Sequence, residues 1–287
     1  MDLSTRCGPA GRLRLGAWLF LALAVPACSL PRSPTMASVP PEWRDGNPFS
    51  PQANAARAAG LLPVYGDVPH KEEWTAFARA HIHSGDILFH RGQASTVKGK
   101  LTSMALCGVN DGRFSHDGLA RWEGDQLWVY DMEREGARKV PFELWMLDTS
   151  GDDFAVKRLR PEYRDRIPQA LAYCEDVYQR QVPFDFALSP DDERLYCSEL
   201  VEKAFRAGGL HLSEPIPIYR LPGFRRYCIA APVMRLVSGI NVRTPVFALG
   251  NEHYGTFASP LLETVYEGPE PDKPERGQPE PDEAASE

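Results

Sequence analysis

The chain has 287 residues, a length that fits one or two domains of ordinary size. Its formal net charge is −7, and residues 267–287 account for −6 of it, with eight acidic and two basic side chains. The rest is nearly neutral and has no basic stripe interleaved with aromatic residues. The composition therefore argues against a nucleic-acid partner.

The first 27 residues have the pattern of a bacterial signal peptide. A basic region is followed by an apolar run, residues 15–24, which is too short to span a bilayer comfortably. Val25–Cys28 then resembles a lipobox, which predicts cleavage before Cys28 and lipidation of that cysteine. Ser29 favours the outer membrane, by analogy with known lipoproteins, so we expect a lipoprotein facing the periplasm. A plain cleaved signal peptide and an uncleaved anchor are the alternatives.

Composition also predicts the limits of the folded part. Residues 28–60 are rich in proline, alanine and serine and lack periodicity, which indicates a lipid-anchored tether. Residues 61–266 form the predicted domain. Residues 267–287 consist largely of proline and acidic residues, which is typical of a disordered tail.

The predicted elements of the domain alternate between helices and strands, which indicates an α+β fold. In chain order they are a helix over 74–81, a strand over 86–91, a hairpin over 116–133, a strand over 154–160, a helix over 167–181, a helix from 197 to about 207, and edge strands over 233–237 and 246–249. Cys174 lies on the apolar stripe of the fifth of these elements and is predicted to be a core residue.

The hairpin carries a histidine and two acids that can meet. If Trp122 pairs with Leu127 across a four-residue loop, His116 lies opposite Glu133, and Asp131 is its diagonal neighbour on the same face. Either acid could orient the imidazole, and a slip of one residue would remove both. A solvated strand face is the alternative interpretation.

Cys197 begins a segment with the apolar spacing of one helix face, and Gly208 and Gly209 end it. Three aspartates upstream could cap this helix: Asp185, Asp191 and Asp192. Unpaired N–H groups and the helix dipole favour a thiolate in a first turn. The alternative is a small buried hydrophobe, because reactivity also needs a partner base.

Three segments in this order resemble a known family: Ser84–Gly92, Phe114–Ala120 and Tyr196–Val201. They are similar to circularly permuted papain-like hydrolases of the NlpC superfamily, in the branch of YiiX-like amidases and lecithin retinol acyltransferase. In that branch the histidine and the polar residue precede the cysteine. The resemblance implies an antiparallel sheet packed against the cysteine-bearing helix.

The resemblance also implies roles for individual residues. Cys197 would be the nucleophile, His116 the general base and later the general acid, and Asp131, with Glu133 as the alternative, the residue that orients the histidine. Tyr196 could help to shape the oxyanion site. Asp117 departs from the family, which usually has an apolar residue there. Strand alternation points Asp117 away from the His116 face, and we expect that back face to be exposed to solvent.

The function expected from these features is a cell-envelope cysteine hydrolase that cleaves an amide or ester through an acyl-enzyme. Its substrate would be a peptidoglycan peptide or an acylated, lipid-like amide. The alternatives are an acyltransferase with the same triad and a catalytically silent lipid- or peptide-binding protein. No cofactor is expected. No metal is expected either, because the histidines of His81–His83 have no accompanying set of carboxylates or cysteines.

Overall fold

A six-stranded antiparallel sheet organises the computed structural model, which describes residues 34–37, 39–40, 46–66, 68–92, 107–189, 191–225 and 240–268. Its strands are β1 (Ile87–Gly92), β2 (His116–Glu123), β3 (Gln126–Glu133), β4 (Gly136–Pro141), β5 (Thr149–Leu159) and β8 (Leu262–Gly268). Their order across the sheet is β4-β3-β2-β1-β5-β8. The mixture of helices and an antiparallel sheet confirms the predicted α+β class.

The register of the β2–β3 hairpin is the one under which the sequence analysis brings His116 and Asp131 together. Trp122 pairs with Leu127, and Leu119 pairs with Tyr130. Gly124 lies in the turn with a positive φ of 58°, a conformation that suits glycine. Continued toward the open end of the hairpin, this ladder puts Asp131 on the same face of the sheet as His116.

Two long helices cover one face of the sheet. Helix α5 (Ile167–Gln179) and helix α6 (Cys197–Ala207) bury their apolar sides against strand residues such as Leu119 and Tyr130. Cys174 is 1% exposed in this cluster, which confirms its prediction as a core residue. The α6 stripe places Leu200, Val201, Ala204 and Phe205 in the core, so the apolar period fixes which side of the helix meets the sheet.

The opposite face of the sheet is covered by shorter elements. Helix α3 (Lys71–His81) and helix α4 (Phe142–Trp145) pack on it. The same cluster contains Met36, Val39 and Phe49, and two further helices lie nearby in the chain, α1 (Pro34–Ala37) and α2 (Pro51–Ala58). The packed structure thus includes parts of the segment over 28–60 for which the composition predicts a tether, because three large apolar side chains there reach the core.

Several other elements differ from the prediction. Strand β4 is not among the predicted elements, because its residues lack apolar alternation. Strand β8 is not among them either, and it extends to Gly268, two residues beyond the predicted end of the domain. The short strand β7 (Pro245–Val246) pairs with β6 (Ile216–Pro217), whereas the predicted strand over 233–237 lies outside the described residues. Among the helices that the structure describes, none is both long and apolar enough to cross a membrane.

The capping prediction for the cysteine helix is wrong. Tyr196 is the N-cap residue, and its side chain makes no capping bond. Asp185 instead accepts hydrogen bonds from the backbone N–H groups of Ala187 and Ser189, because its carboxylate closes the loop in which it lies. Asp192 forms an ion pair with the side chain of Lys203, which lies in α6 beyond its first turn.

Candidate active site

Cys197 lies at the first residue of α6, where the helix end meets the start of β2. Its side chain is partly exposed, whereas His116 is 8% exposed. The two side chains are in polar contact, since each shifts the pKa of the other. The structure therefore brings the predicted nucleophile and base together from positions 81 residues apart in the sequence.

Asp131 holds the imidazole from the other side. The His116 Nε2 atom lies 2.9 Å from the Asp131 Oδ2 atom. Because an ionised carboxylate only accepts hydrogen bonds, Nε2 must be the protonated nitrogen, which leaves Nδ1 for the thiol. Among the described residues, Glu133 has no hydrogen bond to His116, and its carboxylate accepts one from the neighbouring Arg134 N–H at 3.3 Å. Of the two predicted acids, the geometry places Asp131 on the histidine.

Two residues that the sequence analysis did not single out fix Asp131. Arg138 donates to both carboxylate oxygens, with Nε 2.9 Å from Oδ1 and Nη2 bound to Oδ2. The indole N–H of Trp145 donates to Oδ2 at 3.0 Å. Asp131 and Arg138 are paired across β3 and β4. A prediction of β4 would have revealed this pair, since opposite charges face each other across the strands.

The charges around Asp131 set the protonation of the site. Burial works against an ionised Asp131, but the guanidinium of Arg138 and the hydrogen bond from His116 lower its pKa below the ordinary value. Burial likewise opposes a charged His116, but its bonds with Asp131 and Cys197 raise its pKa well above the usual value. His116 is therefore a strong base, and the Asp131 carboxylate stabilises its protonated form.

The thiol of Cys197 is less easily ionised than its helix position suggests. Burial raises its pKa, the negative charge of Asp117 raises it further, and the contact with His116 only partly offsets both. The helix N-terminus alone therefore does not create a resting thiolate here. Ionisation depends on His116 and on the state of Asp117.

Asp117 corrects one prediction about the site. It points away from the His116 face, as alternation requires, but that face is not open to solvent, and the residue is 0% exposed. Helix α6 covers this face, so Asp117 lies against the Cys197 end of the helix. Burial raises its pKa to about 7. Gly118 follows Asp117 in β2. A Cβ atom at this glycine would clash with its neighbours, since it would lie 2.6 Å from Val129 Cγ1 and 2.9 Å from the Tyr130 carbonyl oxygen.

His90 and Tyr196 complete the surroundings of the pair. His90 is 2% exposed, with its ring 5.1 Å from His116 and 4.2 Å from Trp145, and its burial lowers its pKa well below the usual value. His90 is thus a neutral packing partner for the charged imidazole. The Tyr196 hydroxyl accepts a hydrogen bond from the Phe247 N–H at 2.6 Å, which ties the cysteine helix to the segment that follows β7.

Part of the chain matches a known protein family. The family described as permuted papain-like amidase enzymes of the YaeF/YiiX, C92 type matches residues 81–219. That span contains all of the three predicted residues, Cys197, His116 and Asp131. Residues 81–219 are therefore similar to the permuted papain-like amidase family.

Two YiiX proteins give a measure of the likeness. A protein named YiiX from Escherichia coli K12, described as uncharacterized, is 29% identical over 133 residues, which are 46% of this chain and 61% of that protein. The crystal structure of yiiX from Escherichia coli O157:H7, described as a metalloprotein, superposes with a TM-score of 0.52 at 19% identity. That superposition covers 64% of this chain and 97% of the other, and it shows that the two chains share a fold.

One cavity lies away from this site. It has a volume of about 940 Å³ and is lined by residues of α2, of the turn end of the β2–β3 hairpin and of β4, among them Tyr65, Trp128 and Lys139. A smaller one of about 460 Å³ lies beside the end of β1, against Arg91, Phe114 and Phe257. Among the described residues, no group of three or more His, Cys, Asp or Glu side chains could hold a metal ion.

Proposed function

We propose that the chain is a cysteine hydrolase that cleaves an amide or ester through an acyl-enzyme, with Cys197 as the nucleophile. One observation carries this proposal. The bond between His116 Nε2 and Asp131 fixes the imidazole and leaves Nδ1 as the ring nitrogen available to the thiol, which is the order of groups that an activated cysteine needs.

The reaction would proceed in two halves. The Cys197 thiol gives its proton to Nδ1 of His116, and the resulting thiolate attacks the carbonyl carbon. His116 donates a proton from Nδ1 to the leaving nitrogen or oxygen, which gives a thioester. Water then attacks the thioester and gives a proton to His116, and the acid is released as the thiol reforms. Asp131 keeps the imidazole oriented and stabilises its charge throughout.

The oxyanion of each tetrahedral intermediate would be stabilised by the start of α6. The first backbone N–H groups of a helix have no partner within it, and that of Cys197 is nearest to the reacting atom. Tyr196 is the second residue that is predicted to stabilise the oxyanion. Its hydroxyl already accepts one hydrogen bond and could still donate one.

An acylated, lipid-like amide is the substrate class that the surroundings of Cys197 favour. Tyr196 is part of an apolar cluster with Ile218, Leu221 and Val246. Two large apolar side chains on neighbouring loops are exposed, Phe186 at 50% and Tyr219 at 45%. An acyl chain would cover such surface, whereas a peptidoglycan peptide would need more polar partners.

Covalent trapping tests this proposal. We would incubate the purified chain with an activated long-chain acyl ester and, separately, with an activated ester of a short peptide. Intact-mass and peptide-level mass spectrometry should find a thioester on Cys197, formed faster with the acyl ester. The Cys197→Ser variant should not form the thioester.

The outcomes separate the alternatives. Equal, slow modification of Cys197 and the buried Cys174 would contradict catalysis and favour a lipid- or peptide-binding protein. Transfer of the acyl group to an added alcohol or amine, in preference to water, would favour an acyltransferase. Faster reaction with the peptide ester would reverse the substrate assignment.

We also propose that the protein is a cell-envelope lipoprotein with Cys28 as its lipid site. The basic and apolar regions before Val25–Cys28 support this proposal, and residues 1–28 lie outside the described part. Expressed in bacteria with labelled palmitate, the full chain should incorporate label and fractionate with the outer membrane. Label that persists in Cys28→Ser would refute the assignment.

No step in this mechanism uses a metal. The yiiX crystal structure is described as that of a metalloprotein. No residue of this chain is assigned to hold an ion, because the described residues contain no group of three or more His, Cys, Asp or Glu side chains that could do so.

A further inference from the structure

Asp117 is a buried carboxyl group that has no hydrogen-bond partner among the described residues. It is 0% exposed, and neither of its oxygens makes a full hydrogen bond to any residue that the structure describes. A buried carboxylate in this condition is costly, because it has lost its water and gained no donor in return. Such a group needs an explanation beyond packing, since an apolar residue would fill the same space at less cost.

The groups that face Asp117 are those of the active site. Cys197 and Ser198 face it from α6, and their polar atoms favour its ionised form. His116 favours that form from the same strand, whereas Asp131 opposes it from β3. On the β1 side its neighbour in the ladder is Phe89, which carries no charge.

Two further acidic groups complete the electrostatic surroundings. Tyr196 is close enough for Asp117 to influence its hydroxyl, and the charge of Glu133 acts on Cys197. Neither supplies Asp117 with a counter-charge. The effects of Asp117 therefore fall mainly on the thiol next to it.

We propose that Asp117 controls the ionisation of Cys197, so that the thiolate forms readily while this carboxyl group is protonated and is suppressed when it is ionised. The inference rests on the proposed role of Cys197 as nucleophile. A protonated carboxyl group can donate a hydrogen bond to the sulfur anion, whereas a carboxylate repels it across a site that excludes water.

The direction of the pH dependence follows from the two states. Burial raises the pKa of Asp117 to about 7, so the group changes charge near neutral pH. As the pH rises through that value, the new negative charge raises the pKa of Cys197. The thiolate population then increases less with pH than it would beside a neutral residue.

Alkylation of the thiol measures this coupling without any substrate. We would follow the rate of iodoacetamide labelling of Cys197 by peptide-level mass spectrometry. The range from about pH 5.5 to about pH 9.5 brackets the ionisation of the Asp117 carboxyl and of the Cys197 thiol. Asp117→Asn keeps the shape and removes the charge. Its apparent thiol pKa should fall by roughly one unit, so that labelling near pH 8 becomes about tenfold faster than in the wild type.

A second variant and a matched control keep the test decisive. Asp117→Val introduces an apolar residue of the kind usual in the family and should shift the profile in the same direction. Asp148→Asn removes another buried carboxyl group, whose pKa burial raises to about 6, and should leave the profile unchanged. Labelling of the buried Cys174 reports unfolding, so a variant that labels there is set aside in favour of the other.

Superimposable profiles for the wild type and a folded Asp117 variant would overturn the proposal. Because the assay needs no acyl substrate, it distinguishes this failure from a failure of the proposed function. If acyl trapping fails but the pH profile of labelling shifts, the proposed function is wrong and the coupling of Asp117 to Cys197 stands. If trapping succeeds but the profile does not shift, the proposed function stands and the coupling is wrong.

Discussion

Replacement of His116 by alanine is expected to slow acylation of Cys197 by about a thousandfold, within the range for loss of a positioned acid–base group. The variant loses both the contact with the sulfur and the proton that the leaving group requires. Asp131 and Arg138 would remain paired, so the fold should persist. Stopped-flow measurement of leaving-group release from an activated acyl amide gives the rate.

The control for this experiment is His83→Ala. His83 is exposed and lies outside the site, so its loss should change the acylation rate little. Asp131→Asn should give an intermediate defect, because an amide can still accept a hydrogen bond from Nε2 but does not stabilise the charged ring. If His116→Ala acylated Cys197 as fast as His83→Ala, the imidazole would have no part in the chemistry.

Replacement of Arg138 by methionine is expected to lower the free energy of unfolding by about 3–5 kcal/mol, the usual cost of breaking a buried ion pair. Arg138 is 1% exposed and Asp131 is 0% exposed, so water cannot replace the lost guanidinium. The charges of Glu133 and Glu135 also act on Arg138. Urea unfolding at pH 7, followed by tryptophan fluorescence, measures the change.

The pH dependence of this variant has a defined sign. The pKa of Asp131 in the folded wild type lies below its ordinary value of 3.8. Its contribution to stability is therefore present above that ordinary value and is lost as the pH falls through the folded-state value. The difference between the wild type and Arg138→Met should be largest at neutral pH and should narrow on acidification below about pH 4.

An exposed ion pair provides the comparison. Arg180 pairs with Asp176 at 2.8 Å, and both side chains are more than half exposed. Arg180→Met should cost less than about 1 kcal/mol, because solvent already screens that pair. Equal stability of the two methionine variants would show that Arg138 does not hold Asp131 in the way described.

The sequence by itself determined the hairpin and the helix that carries Cys197. Both follow from local patterns: a turn with strand-forming residues on either side, and an apolar stripe that repeats with the helix period. Once Trp122 pairs with Leu127, the reach of His116 toward Asp131 is a matter of strand geometry. The order of the three motifs was enough to predict the family.

Only the tertiary structure decided which acid holds the histidine and what surrounds the thiol. Arg138 lies on a strand without apolar alternation, so its pairing with Asp131 depends on a neighbour that local pattern does not reveal. Asp117 is buried because α6 packs over its face of the sheet, and no property of β2 alone predicts that cover. Burial and long-range charge set the protonation of this site, and both arise only when distant segments pack together.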